Sequence, residues 1–134
     1  MSYNDLTAEL ADYLERQEIG RKGRDIFIER LPREPAQALM IESTGGHRAD
    51  MLGCVFATFR LLARSPNEDP RPALDMLMRA FDALHGFCNE RFNDESGLWI
   101  IRCMAVQSAP TNVGRDDNNR QRFSQNYEVE FDWE

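Results

Sequence analysis

The chain has 134 residues, of which 42% are hydrophobic, a size and composition that suit one soluble domain able to bury a core of its own. Its net charge of −7 argues against a tight electrostatic grip on nucleic acid, which needs clustered Lys and Arg against phosphate, yet it suits a surface past which DNA slides. No run approaches the roughly 20 apolar residues that cross a bilayer. Residues 1–5 lack the basic-then-apolar order of a signal peptide, so the expectation is a single domain over residues 1–134 that folds in a cytoplasm and has no membrane partner.

In chain order, the first apolar periodicity predicts a helix. Leu6, Leu10, Tyr13 and Leu14 recur at helical spacing. Asn4 is placed to cap the start, Asp5 suits the positive end of the dipole, and the helix is expected to stop near Gly20. A strand pair is expected next, over residues 25–31 and 36–43, with Pro32-Arg33-Glu34-Pro35 as the turn between them. Ser43-Thr44-Gly45-Gly46 then reads as a break. Residues 51–63 are mostly apolar and ambiguous: Leu61, Leu62 and Ala63 would tolerate helix, but Cys54, Val55, Phe56, Thr58 and Phe59 favour a strand by propensity, and a strand is the expectation.

A second helix has the clearest start. Asp69 is expected to cap it, and Pro70 and Pro72 fit a first turn, where a missing N–H costs nothing. Leu74, Leu77, Met78, Phe81 and Leu84 read as its buried face, and Gly86 as its stop. The C-terminal part reads as a long hairpin. Residues 98–107 are mostly apolar. Over residues 123–133 the chain alternates: Phe123, Tyr127, Val129, Phe131 and Trp133 face one way, and Ser124, Asn126, Glu128, Glu130 and Asp132 the other. Between the two runs lies a polar loop, residues 108–122, longer than a usual hairpin connection and therefore a candidate for function. The expected class is α+β: a mainly antiparallel sheet with two helices packed on it, in the order α-β-β-β-α-β-β.

The residues that could carry chemistry give no catalytic pattern. Cys54, Cys88 and Cys103 lack C-x-x-C spacing and read as small buried hydrophobes. His47 follows a Gly-Gly turn, and His85 lies near a helix end. Asp116-Asp117-Asn118-Asn119 offers oxygen ligands but lacks the glycine and terminal glutamate of a calcium loop, and Arg115, Arg120 and Arg122 would repel a cation. Gly20-Arg21-Lys22-Gly23-Arg24 has no nucleotide-loop order and reads as a solvated turn. No cofactor, no metal and no catalytic residue are expected. Glu128, Glu130 and Asp132 form an acidic row, read either as the wet face of a sheet or as a surface presented to a channel or a partner.

One stretch carries a resemblance. Gln107-Ser108-Ala109-Pro110-Thr111-Asn112-Val113-Gly114-Arg115-Asp116, then Arg120, then Asn126-Tyr127-Glu128-Val129, resembles minor capsid proteins of tailed phages related to tail terminators (tail completion proteins). In these a strand enters a P-x-x-x-G-x-D loop, an arginine follows and an N-Y/F-x-V strand returns. The upstream order also matches, with an N-terminal helix, Ile-rich strands, a V-F-A-T-F-R strand and a helix led by proline. One departure is Asp117-Asn118-Asn119, where an acidic residue and a glycine would be expected.

The resemblance implies a structural virion protein of a phage or prophage, not an enzyme: an α+β subunit of a hexameric ring that ends the tail tube and takes part in head-tail joining. Its implied partners are other copies of itself, the tail tube protein and the head or neck connector, with DNA only in passage. Its implied place is the virion tail or neck, after assembly in the host cytoplasm. Arg115, Asp116, Asp117, Arg120 and Arg122 are then the candidate intersubunit contacts, and the loop bearing them is expected to be dispensable for folding. Two other readings remain open at this point: a different connector, such as a neck or stopper protein, and a small ligand-binding domain.

Overall fold

The alternation of residues 123–133 becomes the spine of the molecule. In the computed structural model, which describes residues 3–46, 55–92 and 98–133, the elements are α1 (Tyr3–Arg16), β1 (Ile26–Ile28), β2 (Ala38–Gly46), β3 (Val55–Arg64), α2 (Arg71–Leu84), β4 (Phe87–Glu90), β5 (Leu98–Ala105), β6 (Thr111–Arg115) and β7 (Gln121–Trp133). The strands form one seven-stranded sheet in the order β1-β2-β3-β7-β5-β4, with β6 also paired to β7. Every pair is antiparallel except β1 with β2. The class is α+β, with the expected element order augmented by the short strands β4 and β6.

Both helices cover the same side of the sheet. α1 lies over β1 and β2, and α2 over β3, β7 and β5. Leu6, Leu10 and Leu14 of α1 and Ala73, Met76, Leu77, Ala80 and Leu84 of α2 meet Leu39, Ile41, Phe59, Leu61, Tyr127, Val129 and Phe131 from the sheet. Tyr127 stacks on Phe59 with ring centroids 5.1 Å apart. β4 is pinned at its edge by aromatic contacts: Phe87 and Phe92 pack on each other at 4.8 Å, and both touch Tyr13 of α1.

Several local expectations change in the tertiary structure. β1 and β2 run parallel, with Ile26 beside Leu39 and Ile28 beside Ile41, so they are not a hairpin. The connection between them is held by the guanidinium of Arg64, a buried residue that donates to the carbonyls of Ala36 (2.8 Å), Pro32 (2.7 Å), Pro35 (2.7 Å) and Arg33 (3.3 Å). The Pro-rich segment is thereby folded back along the sheet as a crossover instead of a tight turn. β2 does not break at Ser43; it bulges between Ser43 and Gly45 and continues to Gly46. Residues 55–64 are the expected strand, whereas Asn4, Asp5, His47 and residues 51–54, Cys54 among them, lie outside what is described of side chains or backbone.

α1 ends at Arg16, earlier than Gly20, and Glu18 in the turn that follows takes a left-handed φ of 61°. Gly20 leaves room for the Asp25 side chain, since a Cβ there would sit 2.7 Å from Asp25 Oδ1 and the carboxylate would have to shift. α2 starts where expected, and Asp69 sits just before it as read: its Oδ1 accepts the backbone N–H of Arg71 at 3.1 Å, and the same carboxylate grips the Arg71 guanidinium at 2.9 Å. The N–H of Ala73 is satisfied from outside the helix, by Ser65 Oγ at 3.0 Å. The buried face is also rotated from the one read in sequence. Ala73, Met76 and Ala80 are buried with Leu77 and Leu84, while Met78 is 43% exposed. Cys103 is buried as expected, but Cys88, on the β4 edge, is exposed. Burial pushes the Cys103 thiol up to about 12.

Candidate assembly interface

The C-terminal hairpin is longer than its apolar residues suggest, because the polar loop is itself part of it. β5 pairs with β7 from Leu98 opposite Trp133 to Ala105 opposite Tyr127. β6 then continues along the same edge, from Thr111 opposite Ser124 to Arg115 opposite Gln121. Between them the chain loops out, and Gln107 bridges the gap. Its carbonyl accepts from Gln125 Nε2 at 2.7 Å, and its side-chain oxygen accepts from the Asn126 N–H at 3.0 Å. Residues 105–115 and 121–127 thus form one arm, with its tip at residues 116–120.

The tip is a side-chain-built turn. Asp116 Oδ1 accepts the backbone N–H groups of Asn118 (3.0 Å) and Arg120 (2.9 Å), which closes an Asx-type turn. Asn119 sits at φ 60°. That explains the departure from the expected glycine: asparagine is the non-glycine residue that most readily takes a left-handed conformation. Gly114, at φ 95° in the β6 bulge, occupies a backbone region that a side chain would strain.

The structure brings Arg115, Asp116, Asp117, Arg120 and Arg122 to this one tip, and it gives them different work. Arg120 Nε meets Asp116 Oδ2 at 2.8 Å, with the two side chains only 7% and 16% exposed. Arg120 Nη1 also donates to the Arg33 carbonyl at 2.7 Å, which ties the tip to the segment that Arg64 holds. Burial disfavours the Asp116 charge. The N–H and guanidinium of Arg120 and the N–H of Asn118 outweigh it and hold the carboxyl below its ordinary value of 3.8. Arg122 lies 3.4 Å from the carbonyls of Gly114 and Arg115. Arg115 is exposed and reaches Glu68 at 3.5 Å, and Asp117 is exposed. An open depression of about 280 Å³ lies between the tip and Leu31 and Arg33.

These contacts alter one expectation. A loop whose arginine anchors the Pro-rich crossover belongs to the fold, so its removal would unsettle residues 31–36 as well. The sequence pointed to Arg120 but missed Arg33, Arg64 and Glu68, which complete the arrangement. The available signal was a charged residue, Arg64, closing the apolar run Leu61-Leu62-Ala63.

The acidic row occupies the other end of β7, on the sheet face away from the helices. Glu128 lies opposite Met104 and Thr58, and Glu130 opposite Arg102 and Phe56. Glu130 is 3.7 Å from Arg102 with 17% of its side chain exposed, whereas Asp132 is exposed. The same face carries the Arg60–Glu42 pair at 2.9 Å. The row is therefore a mixed, half-buried surface.

Comparison with known proteins fits this architecture. A chain of the virion of a native gene transfer agent (GTA) particle has the same fold, with a TM-score of 0.71 over 97% of this chain and 98% of that one, at 12% identity. No curated protein matches in sequence. The family model described as bacteriophage tail terminator protein matches residues 13–133. With nearly the whole described fold inside that match, the chain belongs to the bacteriophage tail terminator family, a family of structural proteins of the phage tail.

Proposed function

We propose that this chain is one subunit of a ring, six-membered as in the resemblance drawn from its sequence, that ends the tail tube and presents a docking surface to the head or neck. The observation that carries the reading is the β6 arm. Every β6 residue except Gly114 is exposed, and none of residues 106–120 enters the core. Folding positions the arm without using its outer surface, as expected of a segment reserved for another chain. On this reading the protein works by assembly and not by catalysis, its partners are further copies, the tube protein and the connector, and DNA passes through the ring without being read. Among the described residues, no helix is long and apolar enough to cross a membrane.

The test is the particle mass of the purified protein across a concentration series, with negative-stain images, alone and with tail tubes. Monomer or weak oligomer at low concentration, and rings at high concentration or on tube ends, is the expected result. A particle that stays strictly dimeric in all of these conditions would refute it. Loss of function in His47→Ala, with folding and assembly intact, would refute the non-catalytic part.

A further inference from the structure

The outer face of β7 changes charge along its length. Arg122 stands at its start, and Glu128, Glu130 and Asp132 follow on the same side. From Arg122 to Glu128 the strand advances about 20 Å. Around Arg122, arginines outnumber carboxylates in residues 30–36 and 111–122, although the whole chain carries −7. The apolar exposure follows the same hairpin. Met104 (39%), Val106 (58%) and Val113 (37%) are three of the four exposed large apolar side chains among the described residues, and all lie on the β5–β6 arm. Met104 sits directly across from Glu128 within the acidic region, and Val113 lies in the arginine-bearing arm. Each end thus sets an exposed apolar side chain among charged ones, a combination that protein interfaces use.

We propose that the arginine-bearing tip of one copy docks on the carboxylate-rich outer face of the C-terminal half of β7, beside Met104 of β5, in the next copy; this assignment rests on the ring reading above. The occupant is a second copy because the two ends complement each other in charge and both offer exposed apolar side chains. Two different patches at opposite ends of one strand make a head-to-tail contact, and repeating such a contact closes a ring when its rotation is a whole fraction of a turn, as the ring reading requires. Arg115 is the exposed arginine of the tip, and its pair with Glu68, at 3.5 Å and more than half exposed on both sides, is weak enough to be exchanged for a partner across the interface.

The experiment reverses one charge on each side, Arg115→Glu and Glu128→Arg, and measures the concentration at which rings form, with thermal melting as the folding control. Each variant alone should need at least about tenfold more protein to assemble, since like charges face each other. An equimolar mixture should recover rings, because alternating subunits pair the new glutamate with the new arginine. If Glu128→Arg does not fold, the exposed Asp132→Arg takes its place. Wild-type rings should also weaken as salt rises. Variants that assemble like the wild type, or a mixture no better than its components, would overturn the docking assignment and leave the ring reading standing. A wild-type protein that forms no ring even on tail tubes would fail that reading itself.

Discussion

Replacing Arg120 with alanine separates what the tip does for the fold from what it offers to a partner. The substitution leaves Asp116 with its carboxylate 16% exposed and no guanidinium, and removes the donor that Arg120 supplies to the Arg33 carbonyl. Breaking a fully buried pair costs about 3–5 kcal/mol. Asp116 keeps two backbone N–H donors, which lowers the expected loss to about 2–4 kcal/mol. Total stability of a domain is about 5–15 kcal/mol, and at this size each kcal/mol moves Tm by about 3 °C, so the melting point should fall by roughly 6–12 °C.

The effect depends on pH with a fixed sign. The Asp116 carboxyl is held below 3.8 in the folded state, so its contribution is complete above the ordinary carboxylate range and is lost as pH falls through the folded value. The gap between wild type and Arg120→Ala should therefore be full at pH 7 and narrow below about pH 4. Urea or thermal unfolding at several pH values measures both quantities. A Tm change below about 2 °C, or a gap that does not narrow in acid, would refute this account of the tip.

The Tyr127 hydroxyl is buried and has no hydrogen-bond partner among the described residues, so Tyr127→Phe should stabilise the protein by about 1 kcal/mol while keeping the stack on Phe59, as read by urea unfolding. Cys88 should react readily with a thiol reagent in the native state, whereas Cys103, buried and with its thiol pushed up to about 12, should react only on unfolding; mass spectrometry after brief alkylation tells them apart. Ser65→Ala strips the acceptor from the Ala73 N–H at the start of α2 and should cost about 1–2 kcal/mol in thermal melts.

What the sequence determined by itself is the set of elements whose side chains repeat with a regular period. The period-two pattern around Tyr127, Val129 and Phe131 is the inward face of β7, and the spacing of Leu6, Leu10 and Leu14 is the inward face of α1. Solvent imposes those patterns locally, so they can be read before any partner is known. The arginines and aspartates of the tip were visible as candidates for the same reason: they stand out from an apolar hairpin.

Only the tertiary structure decided the rest. α2 is apolar on more than one side, and the side that packs carries the small Ala73 and Ala80 with Met76, Leu77 and Leu84; Met78 is left outside. β1 runs parallel to β2, and the crossover that this requires is held by Arg64, far along the chain, through the carbonyls of Pro32, Arg33, Pro35 and Ala36. β6 carries no hydrophobic alternation, and it is a strand because β7 offers it a ladder and Asp116 closes the turn. In each case the deciding interaction joins residues distant in sequence or uses polar groups, and neither leaves a period in the chain.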